Sequence, residues 1–256
     1  MTRSWRPRRA TQAVGPRDHA VTAPRSVPYA PLLRPPGWWV EAALVAAFVV
    51  LTVALVHRSA LTGLDVALRD WSDAHRPAFP YWLARGVNIL GNGNFGPGMS
   101  APLLLSVLLA WRRRTVRPML PPAAIAVLTG LVIVPLKQYT ARPAPHFYGA
   151  VELFTEPGRI SYPSGHLMNT IVWYGVFALL LAPYLSPAAC RVLRFLPPCL
   201  VFVSTIYLGF HWFTDDIGGV ILGVLIYRVT CRVPWSAIPL PRWLERRPQP
   251  VDRPWP

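Results

Sequence analysis

The sequence predicts an all-α polytopic membrane protein, a bundle of six transmembrane helices with an interfacial helix between the first two spans. Three observations predict it. Hydrophobic residues make up 53% of the 256 residues and charged ones 14%, against about a quarter charged in ordinary soluble domains. The apolar residues gather in runs long enough to cross a bilayer. The basic residues, 26 against 11 acidic, flank those runs instead of lining one folded face, which argues against a nucleic-acid partner despite the net charge of +15. Cys190, Cys199 and Cys231 make no even disulfide framework and match no zinc spacing.

Residues 1–37 are rich in Arg and Pro and contain no apolar run. They are expected to form a disordered basic cytoplasmic tail, not a secretory signal. The membrane domain is expected over 38–232, followed by a second Pro/Arg-rich cytoplasmic tail over 233–256. The first span, Trp38–Val56, has one charge, Glu41, in 19 residues; at about 1.5 Å per residue this just crosses a ~30 Å hydrocarbon core. The stretch Asp65–Arg76, with Trp71 and alternating charges, suits a helix lying at the interface. Pro97–Trp111 gives the second span, extended backward by Phe79–Leu90 across a Gly/Asn break. Pro121–Tyr139, Ser164–Tyr184, Phe195–Phe210 and Thr214–Val229 complete the six.

Arginine placement predicts orientation. With the N-terminus in the cytoplasm, 19 of the 26 basic residues fall on inner segments and seven on outer ones, as the positive-inside rule requires. Contact with anionic inner-leaflet lipid then explains the excess charge. The expected location is a bacterial plasma membrane with both termini inside.

Under this topology three polar clusters meet at the outer ends of spans three to six. Ionisable groups at that depth are expensive and usually functional. Pro163-Ser164-Gly165-His166 opens an apolar run: serine is a good N-cap, and the free N–H groups of a first turn attract anions. A plain helix cap beside an interfacial histidine gives the same pattern. His211 and Asp215 are four apart, so on a helix the carboxylate would fix one ring nitrogen and leave the other free as a nucleophile. An interfacial ion pair is the alternative, and a zinc site from His166, His211 and Asp215 lacks a fourth ligand. Lys137 and Arg142-Pro143 close a span with two cations, suited to clamping a phosphoryl group or to snorkelling toward headgroups.

The order Lys…Arg-Pro, Pro-Ser-Gly-His, His-x-x-x-Asp resembles the type-2 phosphatidic acid phosphatase superfamily, which includes lipid phosphate phosphatases and vanadium haloperoxidases. The resemblance runs from about Asp65 to Arg228. It implies a membrane-embedded, metal-independent phosphohydrolase without a cofactor, acting on a lipid phosphate or prenyl pyrophosphate among membrane lipids. It implies that His211 attacks phosphorus, Asp215 holds His211, and His166 protonates the leaving oxygen. Lys137, Ser164 and Gly165 would bind the phosphate. Counting along the family's first and third motifs lands on Ala144 and Thr205, where the family has arginine. Arg142 is the expected replacement, with Arg159 as a second. A relative that binds lipid phosphate without turnover, and a phosphotransferase, are the rival readings.

Overall fold

The computed structural model describes residues 37–57, 59–93, 96–147, 150–241 and 244. The expected tail over 1–37 therefore lies almost wholly outside the described residues, as does most of the tail after 241. Among the described residues, eight α-helices follow in order: α1 Trp39–Val56, α2 Ala60–Ala74, α3 Ala78–Asn88, α4 Pro97–Arg113, α5 Leu120–Thr140, α6 Gly165–Leu181, α7 Pro187–Tyr207 and α8 Phe213–Arg232. Three helical stretches among these residues are long and apolar enough to cross a membrane, Trp39–Val56, Arg117–Phe147 and Pro187–Tyr207, and Gly165–Leu181 is a shorter apolar helix.

Burial ranks the helices. In α1 only Glu41 and Leu55 are buried, whereas α6 buries residues on every side, from Leu167 to Leu180. Helices α6 and α8 form the centre, around Met168, Val172, Val176, Leu222 and Ile226. They approach closely because α8 presents glycine: a β-carbon on Gly219 would stand 2.6 Å from the Ser164 carbonyl oxygen. Small residues of this kind let helix backbones meet in membranes. On the outside, Val50 (67% exposed), Leu104 (70%), Leu131 (69%) and Val203 (67%) belong to an apolar belt on α1, α4, α5 and α7. A belt of that extent is a lipid-facing surface, and this is a membrane protein.

Direction follows from two sets of contacts. Glu41 near the start of α1 bonds Arg228 and Arg232 near the end of α8, at 3.1 and 2.7 Å. Thr52 near the end of α1 bonds the Tyr162 hydroxyl at 2.7 Å, just ahead of α6. One end of the bundle therefore collects the C-terminus of α5 and the N-terminus of α6, with the α7–α8 turn beside them. The 233–241 segment starts pinned at the other end, where Arg117 donates to the Trp235 carbonyl at 3.0 Å.

Two boundaries differ from expectation. The Phe79–Leu90 stretch is a separate helix, α3, set apart from α4 by a 3-10 turn at Ile89–Gly91. Asn88 ties it to α7 instead, donating to Ser204 Oγ at 3.3 Å. Helix α7 begins at Pro187, not Phe195, and runs through Pro197 and Pro198; a membrane helix tolerates such prolines where neighbours satisfy the freed carbonyls.

Gly209 ends α7. Its φ is +68°, its N–H donates to the Ile206 carbonyl at 3.0 Å, and the Phe210 N–H donates to the Thr205 carbonyl at 3.0 Å. This is the paired-bond helix stop that needs a left-handed residue, and it delivers His211 two residues later. Gly209→Ala is expected to lose about 1–2 kcal/mol from the left-handed penalty, read as a lower unfolding temperature in detergent. An unchanged midpoint would show that the turn adapts.

Candidate active site

Four elements build the site. Lys137 lies in the last turn of α5. Ser164 is the N-cap of α6, its Oγ accepting from the Leu167 N–H, so Gly165 and His166 fall in the first turn, where backbone N–H groups are free. Lys137 reaches this turn: its Nζ would be 3.8 Å from a β-carbon on Gly165, and it donates to the carbonyls of Ile160 and Ser161. His211 follows the Gly209 stop, and Asp215 sits in the first turn of α8.

The two imidazoles meet. His166 Nδ1 and His211 Nε2 are 3.2 Å apart, with ring centroids 5.3 Å apart and the rings edge to face. Residues 45 positions apart thus form one site.

Asp215 does not bond His211 directly. The Nδ1 to Oδ2 separation is 3.6 Å, too long for a hydrogen bond. His211 precedes α8 instead of lying on it, so the four-residue helical spacing does not apply. Ser161 bridges the gap: its Oγ is 3.2 Å from His211 Nδ1 and donates to Asp215 Oδ2 at 2.5 Å. One proton assignment satisfies every bond. His166 Nδ1–H donates to His211 Nε2, His211 Nδ1–H to Ser161 Oγ, and Ser161 to Asp215. Ser161 carried no signal of its own in the sequence, because its partners come from a loop and a helix about 50 residues on.

Arg142, expected on phosphate, does not face the imidazoles. It is fully buried and all three nitrogens are occupied. Nη1 donates to Asp215 Oδ1 at 2.6 Å and to Thr214 Oγ1 at 2.8 Å; Nη2 donates to Asp65 Oδ2 at 2.6 Å; Nε donates to the Val151 carbonyl at 2.7 Å. The reason is the backbone. Ala141 ends α5 in the left-handed conformation, φ 42°, and Pro143 holds Arg142 out of helical geometry. The side chain therefore turns inward behind Asp215 instead of following Lys137 along α5. Arg159 is likewise engaged elsewhere, 3.3 Å from Glu156 and over the Phe147 ring at 4.2 Å.

Asp65, read from sequence only as part of an interfacial helix, completes this layer. Its Oδ1 accepts from the Thr214 N–H at 2.9 Å and its Oδ2 from Thr214 Oγ1 at 2.6 Å. Burial raises its carboxyl above the ordinary value, opposed by Arg142 and Thr214. Thr205 is also absorbed by the core, donating to Asp216 Oδ2 at 2.5 Å. His211 is only 7% exposed; burial lowers its imidazole below the ordinary range, opposed by Asp215. Its neutral form is therefore favoured, and a neutral ring nitrogen is what a nucleophile requires.

Comparison with known proteins bears on this arrangement. A sequence model of the PAP2 superfamily matches residues 118–239, which hold every motif residue named above. Over those residues the chain is similar to the PAP2 superfamily. Phosphatidylglycerophosphatase B of Bacillus subtilis (strain 168) is 26% identical over 185 residues, covering 70% of this chain and 88% of that protein. In fold, the chain resembles the crystal structure described as the first transmembrane PAP2 type phosphatidylglycerolphosphate phosphatase from Bacillus subtilis. That match has a TM-score of 0.64 and 24% identity, and covers 75% of this chain and 94% of that one. These similarities support a general lipid phosphatase function, and the residues grouped here are the candidates for it.

Proposed function

We propose that the protein is a membrane-embedded phosphohydrolase that removes the terminal phosphate of a lipid phosphate or polyprenyl pyrophosphate. The observation that carries this reading is the His166–His211 pair, buffered behind by Ser161 and Asp215 and flanked by Lys137 and the open first turn of α6. His211 Nε2 attacks phosphorus and the bond to the leaving oxygen breaks. His166, entering the step as the imidazolium, gives that oxygen its proton and becomes neutral. Water, losing a proton to His166, then splits the phosphohistidine and releases inorganic phosphate. Because Nε2 now bonds His166, the phosphoryl group must part the two rings as it arrives. Lys137 and the Ser164–Gly165 N–H groups neutralise charge on the phosphate oxygens. Arg142 acts at one remove, fixing Asp215.

We further read α1, α4, α5, α6, α7 and α8 as six spans with both termini in the cytoplasm of a bacterial cell. The arginine distribution supports that orientation, and it sets the imidazoles at the outer face. A headgroup enters laterally there while its tails stay in the bilayer. The chemistry needs no metal or cofactor on this reading, since Lys137 and the N–H groups of the α6 first turn take up the phosphate charge.

The test is phosphate release from phosphatidylglycerol phosphate, phosphatidate and a polyprenyl pyrophosphate in detergent, followed against pH and with EDTA. Release should survive EDTA and trace a bell. The acid limb should lie below the ordinary histidine value of about 6.5, because burial lowers His211 and attack needs it neutral. A limb centred above that value, or strict dependence on an added divalent ion, would contradict the mechanism. Phosphate appearing on an added alcohol would instead identify a phosphotransferase.

A further inference from the structure

A phosphoryl group in transfer carries negative charge on several oxygens and is held best by planar, two-pronged guanidinium groups. Lys137 supplies one point charge, and Arg142 is tied to carboxylates. Two guanidiniums from the α2–α3 segment, which precedes the residues matched to the superfamily, lie beside Gly209 and Phe210, the residues just before His211.

Arg76 follows α2. Its Nη2 lies 3.6 Å from the place of a β-carbon on Gly209, a point 3.9 Å from Pro145 Cβ and 4.0 Å from His146 Cβ. Its Nε is buried without a hydrogen-bond partner, and its carboxylate contact is Asp73 at 2.6 Å. Arg85, exposed on α3, has its Cζ 5.8 Å from the Phe210 ring centroid, and that ring is 6.2 Å from His166. No carboxylate pairs with Arg85 among the described residues. Helix α3 is held there by the Asn88–Ser204 bond. Beyond it, a β-carbon on Gly91 would lie 3.3 Å from His166 Cβ. Both guanidiniums thus converge on Gly209-Phe210, immediately before His211. Arg76 reaches the neighbourhood of Pro145, next to Ala144, and the helix of Arg85 docks on Ser204, next to Thr205.

We propose that Arg76 and Arg85 are phosphate-binding residues of this site, receiving the terminal phosphate beside Phe210 and holding its non-bridging oxygens as His211 attacks. The assignment rests on the phosphohydrolase reading and adds a second set of cations to it, drawn from outside the motif region.

The test uses the full-length protein in detergent, with inorganic phosphate as the probe. Phosphate affinity is measured by calorimetric titration, alongside release from a lipid phosphate. Arg85→Ala and Arg76→Ala should each weaken phosphate binding about tenfold, with KM for the lipid phosphate rising alongside. Arg85→Lys and Arg76→Lys, which keep the charge but lose the fork, should fall between. The lysine variants and the exposed position of Arg85 keep the test valid if Arg76→Ala unfolds. Phosphate affinity within twofold of wild type for both arginines would overturn the assignment, as would a wild-type protein that does not bind phosphate. Should binding weaken as expected while wild type releases no phosphate, the arginine assignment stands and the catalytic reading falls.

Discussion

His211→Ala is expected to lower phosphate release by at least about 10⁴-fold, the scale on which removal of a nucleophile acts, while the protein remains folded. The size of the effect follows from the proposed chemistry. His211 Nε2 forms the bond to phosphorus, and no other described nitrogen stands where it does: the 3.2 Å neighbour, His166 Nδ1, has no carboxylate-linked partner behind it to stabilise a phosphorylated ring. The stability effect should be small by comparison, because the neutral imidazole makes only two side-chain bonds, to His166 and Ser161. Equal release from the variant and wild type, with matched unfolding temperatures, would leave a protein that binds lipid phosphate without turning it over.

Arg142→Ala should be the most destabilising single change in the site. The guanidinium stands between two fully buried carboxylates, Asp65 and Asp215, each 2.6 Å away. Removing it leaves both without their cation, and breaking a buried ion pair from one side costs about 3–5 kcal/mol. The loss should appear as a large drop in the unfolding midpoint in detergent. Arg142→Lys should recover only part of it, since one ammonium cannot span both carboxylates and the Val151 carbonyl. A variant as stable as wild type but unable to bind phosphate would return Arg142 to the phosphate itself and contradict the positioning role derived from its contacts.

The contrast between Arg142 and Ser164 shows what the sequence could reveal. Ser164 as a helix cap was legible, because capping depends on residues within one turn. The convergence of Lys137, His166 and His211 was legible too, because alternating spans bring every second connection to the same end of a bundle. The direction of Arg142 was not. It depends on a left-handed Ala141, a conformation that nothing in that residue type signals. Ser161 was hidden for a related reason, since its bridging role exists only once a loop and the start of α8 are brought together. The His211–Asp215 spacing misled in the opposite sense: four residues apart suggests one helix face, yet Gly209 ends α7 and α8 begins only at Phe213. The split between α3 and α4 escaped because an apolar run of that length fits either one broken span or two helices. Tertiary contacts, Asn88 with Ser204 in particular, decide it.

The central claim is that a covalent phosphoryl intermediate forms on one of two facing histidines. Rapid alkaline quenching of the enzyme during turnover, followed by mass spectrometry of its peptides, tests this most directly, because phosphohistidine survives base. The account predicts a phosphoryl group on the peptide carrying His211, lost in His211→Ala. Label on His166 alone, or steady turnover with neither histidine ever phosphorylated, would contradict it.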